Sequence, residues 1–350
     1  MKTEILLGAL LVAIAGLGTG TYVWPLKRMR RYTFDHCWMV GMFVMLVVLP
    51  WTVIFIGCPN VPGALAKIDT KVILLGNFFS TCFGVAVLLF GVCVVRIGVA
   101  LAGPILSGTS IVIGVLLPLL IKPPGFNAPP LFSLPGLAVL LGLACIIFGV
   151  VLVARAGFAK ETGSKPERSA VAETKSARPF LVGLLLAILA GILSTGISFT
   201  FVYTQEAVTA AMKGAGATDT VASVAVWAVG MMGAAVVNVG YSALLITRRK
   251  EWHLALDPRD AFLSALLGLH FGVAVMFLLG RGMVLLGPLG ASVGFGIQQA
   301  MQILGNQGLG ALLGEWNGVA RPILQTMVWA VAVILLATAI LAAGPLLPGL

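Results

Sequence analysis

Apolar runs of about 20 residues recur along nearly the whole chain and are separated by short polar stretches. A run of this length crosses the roughly 30 Å hydrocarbon core of a bilayer as an α-helix. The short alternating segments of an outer-membrane barrel are absent. The pattern therefore predicts ten membrane-spanning helices, at residues 4–26, 37–57, 72–95, 97–121, 131–154, 180–204, 220–247, 261–286, 289–313 and 322–347.

Residues 155–179 form the longest polar stretch, and it is rich in Lys, Glu and Ser. This stretch is too short for a domain and is typical of a flexible linker. It divides the chain into two halves, residues 1–154 and 180–350, each with five predicted spans. We therefore treat each half as one structural unit.

The two halves resemble each other in their glycine positions. The first span contains GALLVAIAGLGTG and the sixth contains GLLLAILAGILSTG, so Gly8 and Gly16 correspond to Gly183 and Gly191. The third and eighth spans end in GVCVVRIG and GRGMVLLG, which share a G-x6-G spacing. Because five spans return the chain to the opposite side, a repeat of this kind is inverted. The predicted fold is an all-α membrane protein with ten transmembrane helices arranged as two inverted five-helix repeats.

Composition agrees with a membrane protein. The chain is 59% hydrophobic and 10% charged, whereas soluble proteins are about 25% charged. Its net charge of +10 resides mainly in loops beside apolar runs, so membrane topology explains it better than nucleic-acid binding does. Sixteen Lys and Arg residues lie in loops on the linker side and five on the other. This asymmetry places the linker in the cytoplasm and both termini outside.

Several chemical classes find no support in the sequence. The five cysteines lack metal-ligand spacing, and neither a phosphate loop nor a hydrolase motif occurs. We therefore expect no metal, no cofactor and no ATP-driven step. The N-terminal run continues to Leu26, past a plausible signal-peptide length, and Glu4 interrupts its basic start. A retained first span is favoured over a cleaved signal peptide.

The ninth span carries a stripe of carboxamides. At about 100° per residue, Gln298, Gln299, Gln302 and Asn306 fall on one helix face. A carboxamide in hydrocarbon must find a hydrogen-bond partner, so this face should point into a bundle or a wet cavity. The stripe predicts a path for a polar solute. The alternative is that these amides only bind neighbouring helices together.

Other polar side chains add to the predicted interior. Ser198 in the sixth span, Asn77 in the third and Asn238 in the seventh are candidates for contacts with the solute. Arg281 lies near the end of the eighth span. It is a candidate partner for an anionic group, and the alternative is that it extends to the membrane interface.

Coupling to protons needs a group that gains and loses its charge during transport. Glu206 follows the sixth span, although its position also fits the water interface. Glu315 ends the ninth span and could instead form a structural pair with Arg321. His270 lies in the middle of the eighth span, where it could transfer a proton or simply bind a neighbour.

Several segments resemble the L-rhamnose–proton symporters of the drug/metabolite transporter superfamily. They are TYVWPLKRMRRYTFDHCWMVG after the first span, LPW at Leu49–Trp51, ARAG at Ala154–Gly157, GILSTGISF in the sixth span and GEWNGVARP at Gly314–Pro322. The last resembles the family's EWN-x-x-x-R-P signature and is the most specific. The eighth and ninth spans depart from the family, which has aromatic and polar or acidic residues there.

The resemblance implies a bacterial inner-membrane carrier of a sugar such as L-rhamnose, driven by proton symport with alternating access. Its partners would be the sugar, the proton and the lipid bilayer, and its oligomeric state a monomer or weak dimer. Alternatives from the residues are a carrier for another metabolite, sodium coupling, a channel, a sensor that does not transport, and an intramembrane enzyme. Saturable accumulation separates a carrier from a channel, and product formation identifies an enzyme.

Overall fold

The computed structural model describes residues 2–97, 99–121, 130–163 and 177–347. All regular secondary structure in these ranges is helical. The α-helices are α1 (Lys2–Thr21), α2 (Phe34–Phe43), α3 (Leu49–Gly57), α4 (Val61–Leu65), α5 (Thr70–Ile97), α6 (Val99–Ile121), α7 (Leu134–Gly163), α8 (Ala177–Ser194), α9 (Gly196–Gly214), α10 (Asp219–Gly230), α11 (Met232–Arg249), α12 (Pro258–Gly272), α13 (Gly280–Leu285), α14 (Gly290–Leu312) and α15 (Arg321–Ala343).

The described part of the chain has seven helical segments long and apolar enough to cross a membrane, or eight if the bent pair α10–α11 forms one span. Large apolar side chains cover the outside of the bundle, and Phe55 and Ile56 are 63% and 83% exposed. Such a surface is unfavourable in water and suits lipid. The chain is therefore an all-helical membrane protein.

Two predicted spans fall outside that set. Helices α6 and α14 lie at the predicted fourth and ninth spans and are each 23 residues long. Glycines and amides lower the hydropathy of α14, and the described apolar core of α6 is the shorter segment Ile105–Leu117. The count of ten spans stays a prediction.

Two helices extend beyond their predicted ends. Helix α7 continues to Gly163, into the predicted linker, and α9 continues to Gly214 rather than ending at 204. Polar side chains at these ends lower the apolar signal without interrupting the helix, so the pattern underestimates helix length. The rest of the linker, residues 164–176, and Gly98 of the first G-x6-G motif lie outside the described residues.

The two halves interchange packing partners: the first span of each half packs on the third and fourth spans of the other half. Helix α1 packs on α14 and α13, whereas α8 packs on α6 and α5; α2 packs on α11, and α7 on α15. The corresponding glycines follow this exchange. A Cβ atom on Gly16 would lie 2.5 Å from the carbonyl oxygen of Gln298 in α14, and one on Gly191 would lie 2.6 Å from Thr109 in α6. Close backbone contact thus explains why both positions are glycine.

Four of the described spans are irregular, and the sixth is interrupted at Thr195, between α8 and α9. The second contains a π-helical segment at Val44–Val48, and the eighth contains another, Val273–Leu279, which we term the π segment. The seventh is broken at Met231, where α10 and α11 meet at 54°. Irregular backbone within a membrane requires partners for the hydrogen-bonding groups it leaves free. These places are therefore where polar side chains are needed.

A buried carboxylate connects the loop after α1 to the start of α12. Asp260 is fully buried and accepts hydrogen bonds from the backbone N–H groups of Arg30, Arg31 and Tyr32, the shortest 2.7 Å long. Sequence reasoning missed this residue, because it follows the helix-capping Asp257 and has the pattern of an ordinary first-turn acid. Asp260 fixes the position of the basic loop between α1 and α2.

Asp260→Asn is expected to lower the free energy of unfolding by about 1–2 kcal/mol, because charge-assisted hydrogen bonds become neutral ones and the amide N–H₂ faces donors. Thermal unfolding of the detergent-solubilised protein measures this change. Asp69→Asn is the control, since Asp69 is exposed and caps α5. Equal midpoints for the two variants would contradict the assignment.

Candidate functional site

The amide stripe of α14 faces α1. Gln298 is 6% exposed, and its Nε2 donates to Thr19 Oγ1 at 2.8 Å and to Gln302 Oε1 at 3.1 Å. Thr19 is also buried and lies between Gly16 and Gly20, whose missing side chains let α1 approach α14. Sequence reasoning missed Thr19, because a small hydroxyl does not stand out in an apolar helix. These two helices thus share a buried polar contact.

The remaining amides of the stripe diverge. Gln299 is half-buried, and its Nε2 donates to Ser110 Oγ of α6 at 3.4 Å. Asn306 is exposed near the end of α14. Gln298 and Gln299 therefore join α14 to helices of the first half, whereas Gln302 bonds to Gln298 of its own helix. These contacts are the packing role expected if the amides only bind helices together. Contact with a solute stays a prediction for all four.

Asn77 closes the break in the seventh span. Its Nδ2 donates to Val229 O at 2.9 Å, and its Oδ1 accepts from Gly233 N at 2.8 Å. One amide side chain of α5 thereby hydrogen-bonds to a backbone carbonyl at the end of α10 and to a backbone N–H at the start of α11. Ser80 adds an acceptor for Ala234 N at 3.3 Å.

Asn238 lies further along α11 and is also buried. Its Oδ1 accepts from Trp38 Nε1 of α2 at 3.0 Å, and its Nδ2 donates to Ala234 O. Trp38 packs near Tyr22, which stacks on Phe271 with ring centroids 4.3 Å apart. The amide and these aromatic rings thus pack together where α2 meets α11. The sequence did not single out Trp38.

Ser198 and Arg281 lie toward the side opposite the linker. Ser198 is buried, and its Oγ donates to Ala291 O at the start of α14. Arg281 is about one-third exposed and contacts Asp219 Oδ2 at 3.4 Å, while Lys213 contacts the other oxygen at 2.7 Å. The partner of Arg281 in this structure is thus a carboxylate of the chain itself.

His270 lies where α12 meets the end of α1. Its Nδ1 accepts from Trp24 Nε1 at 3.3 Å, and its Nε2 is 3.4 Å from Thr21 Oγ1. Indole nitrogen is only a donor, so Nδ1 carries no hydrogen in this arrangement. The Thr21 hydroxyl lies within hydrogen-bond distance of the carbonyls of Leu17 and Gly18, so it can accept from Nε2. His270 thus makes specific contacts with the first half.

The two acidic candidates are more exposed. Glu206 lies on the outer surface of α9. The side chain of Glu315 is 49% exposed and contacts Lys27 at 3.2 Å and Lys160 at 3.8 Å, so the predicted pair with Arg321 is not formed. The sequence did not predict these contacts, because Lys27 and Lys160 are distant from Glu315 in the chain. Lys160 also lies over the ring of Trp316 in the EWN segment.

The structure does not gather the predicted residues into one site. Gln298 and Gln302 meet at α1, Asn77 and Asn238 line the interface of α5 with α11, and His270 lies at the linker side of α1. Arg281, Glu206 and Glu315 are at or near the ends of the bundle. The buried contacts of Gln298 with Thr19 and of Asn77 and Ser80 with α11 join helices of the two halves, and we term this interface the polar seam. Among the described residues, no group of His, Cys, Asp and Glu could hold a metal ion.

Known proteins resemble the chain along almost its whole length. L-rhamnose-proton symporters from Pectobacterium atrosepticum, Shigella dysenteriae and Escherichia coli are 25%, 24% and 23% identical to it. Each match covers 98% of this chain and 99% of the relative. The model of the L-rhamnose-proton symport protein (RhaT) family matches residues 1–346. The chain therefore belongs to the RhaT family, a family of transporters and not of enzymes.

Proposed function

We propose that this protein is a secondary transporter that moves a small polar solute, a sugar such as L-rhamnose, across the membrane together with a proton. The full-length family match is the observation that carries this proposal. The curated relatives from Pectobacterium and Shigella are described as L-rhamnose-proton symporters. Their low identity leaves room for a different sugar or metabolite, and the altered eighth and ninth spans are where such a change would act.

Alternating access is the proposed mechanism, and two inverted five-helix repeats would provide it. The interchanged packing partners support this proposal, since α1 on α14 corresponds to α8 on α6. The matched glycines Gly16 and Gly191 support it independently. In this scheme, the polar seam between the halves opens to each side of the membrane in turn.

We place the protein in the bacterial inner membrane with the linker in the cytoplasm. Membership of the family supports the location in the inner membrane, and the unequal distribution of Lys and Arg between the loops of the two sides supports the orientation. The Glu315 ion pairs with Lys27 and Lys160 then lie on the cytoplasmic side, and the Asp219 pairs with Lys213 and Arg281 lie outside. Both sets are exposed, so they contribute little to stability and are suited to breaking during transport.

His270 is the preferred coupling group. It is half-buried and contacts Thr21 and Trp24 of the other half, whereas Glu206 and Glu315 are exposed. A coupling group must be linked to helix contacts that differ between two states. Sodium coupling is the alternative, which an ion-dependence experiment separates.

Uptake of labelled L-rhamnose into proteoliposomes tests the function. Accumulation above the external concentration is expected when the outside is acidic, and it should disappear with a protonophore. Accumulation that follows a sodium gradient instead would establish the alternative ion. Protein that unfolds in one sharp thermal transition yet takes up no rhamnose would exclude this sugar, and a panel of other sugars and metabolites would then identify the solute.

A further inference from the structure

Two buried donors on α10 have no hydrogen-bond partner among the described residues. Ser223 Oγ and Trp227 Nε1 are both unpaired there, and their side chains are 2% and 0% exposed. Nearly all buried polar groups in folded proteins are paired, so two unpaired donors one helical turn apart are unusual. Neither residue has a part in the transport scheme proposed for the seam and His270.

Both donors converge on Gly280. A Cβ atom on this glycine would lie 2.5 Å from Trp227 Nε1 and 3.1 Å from Ser223 Oγ. Gly280 directly follows the π segment, which contacts α10 and α1. π-Helical turns occur frequently at functional sites, because they disturb the regular hydrogen bonding of a helix. The two donors are therefore packed directly against the glycine that follows this irregular part of the eighth span, at a close approach that a larger residue would prevent.

A line of polar groups connects these donors to the outer surface. Asp219, Ser223 and Trp227 are spaced by four residues and share one face of α10. Asp219 is exposed and pairs with Arg281, which is the residue after Gly280. The Asp219–Arg281 pair thus lies above the two donors, between the same two helices.

We propose that Ser223 and Trp227 bind an oxygen atom of the transported solute, entering between α10 and α13 once the Asp219–Arg281 pair separates. This inference rests on the proposed transport function and names one contact of its site. A Trp N–H can only donate, and a Ser hydroxyl donates or accepts. Together they suit a neutral oxygen with free lone pairs, as in the hydroxyl or ring oxygen of a sugar, and they supply no charge for an anion.

The missing partners also give a reason for α10 and α13 to separate when solute arrives. Both donors are buried without hydrogen bonds to the described residues, which is unfavourable. A solute oxygen between the helices supplies the partner, so solute binding forms hydrogen bonds that the closed arrangement of these helices lacks. A ligand shifts a conformational equilibrium through such a difference in contacts.

Ser223→Ala is the sharpest test, because it removes one unpaired donor with little change of volume. The half-saturation concentration for labelled L-rhamnose should rise about five- to tenfold, the effect of one lost hydrogen bond. The thermal midpoint of the protein without solute should stay unchanged or rise, because no protein contact is lost. Trp227→Phe should weaken solute binding similarly and serves as the second variant.

Ser292→Ala is the matched control for stability. Ser292 is equally buried, but its hydroxyl donates to Val115 O at 2.7 Å, so its removal should lower the midpoint. A midpoint for Ser223→Ala that falls as it does for Ser292→Ala would overturn the inference, since an internal partner or a trapped water would then bind Ser223. Unchanged half-saturation in both Ser223→Ala and Trp227→Phe would also overturn it.

Failure of rhamnose transport is a separate outcome. If the wild-type protein takes up no L-rhamnose, the proposed substrate fails, and thermal stabilisation by a panel of hydroxylated solutes tests the inference instead. A solute that stabilises the wild type but not Ser223→Ala supports it. Equal stabilisation of both proteins, or of neither by any solute, contradicts it.

Discussion

His270→Asn is expected to abolish proton-driven accumulation of the solute while preserving its exchange across the membrane. The reason lies in the hydrogen bond from Trp24 Nε1 to Nδ1 of His270. Protonation places hydrogens on both imidazole nitrogens. The Nδ1–H of a protonated His270 and the Nε1–H of Trp24 are both donors and cannot hydrogen-bond to each other. Protonation of His270 must therefore break its hydrogen bond with Trp24.

This separation would link the proton to the position of the first helix. Trp24 belongs to the turn after α1, and Arg28 lies over its ring at 5.3 Å. The same α1 contacts α14 through Thr19 and Gln298. Movement at Trp24 would therefore reach the polar seam through a single helix. The side-chain oxygen of asparagine at position 270 can accept the hydrogen bond from Trp24, but asparagine does not titrate. The contact with Trp24 would therefore stay formed whatever the pH.

The measurement is solute accumulation in proteoliposomes under an inward proton gradient. A gradient of about one pH unit supports roughly tenfold accumulation for one proton per solute, because each is worth about 1.4 kcal/mol. His270→Asn should reduce that ratio to about one, with counterflow exchange preserved. His253→Asn is the control, since His253 is exposed in the short 3-10 helix Trp252–Leu256 between α11 and α12. Full accumulation by His270→Asn would move the coupling role to another residue.

The length of the apolar runs predicted an all-helical membrane protein, because a span needs only a long apolar run. Helix α5 begins at Thr70 and α15 ends at Ala343, close to the predicted limits. The break at Met231 and the π segment were not predicted, since neither contains a proline. Their cause is tertiary: Asn77 supplies hydrogen bonds to the broken span from another helix. No local pattern within the seventh span encodes such support.

The candidate site was only partly accessible from sequence for the same reason. Polar residues such as Gln298 and His270 stand out in apolar runs, and both lie in or beside the interior. Their partners Thr19, Trp24 and Trp38 do not stand out, because small hydroxyls and aromatic rings are common in membrane helices. Trp227 is counted among hydrophobic residues, and only its unpaired N–H within the described part of the bundle distinguishes it.

Asn77→Ala is expected to destabilise the protein more than alanine at Gln298, Gln299 or Asn238. It removes the partner of Val229 O and of Gly233 N at a break inside the membrane, where water is scarce. Each unpaired backbone group costs about 1–3 kcal/mol, so the free energy of unfolding should fall by about 3 kcal/mol. Asn60→Ala is the control, because Asn60 caps the short α4 at the surface and should cost about 1 kcal/mol.

The local consequence of Asn77→Ala separates this role from a general packing loss. Hydrogen exchange should become faster at the amide of Gly233, which loses its acceptor, and at that of Ala234, whose acceptor Ser80 is one turn from Asn77. Exchange of the amides in the middle of α5 should be unchanged when it is measured well below the unfolding midpoint.

Asn77→Ala should also slow solute uptake. The break that Asn77 supports joins α10, which carries Ser223 and Trp227, to α11, which carries Asn238. A destabilised variant with unchanged exchange at Gly233 would show that Asn77 stabilises the bundle in some other way.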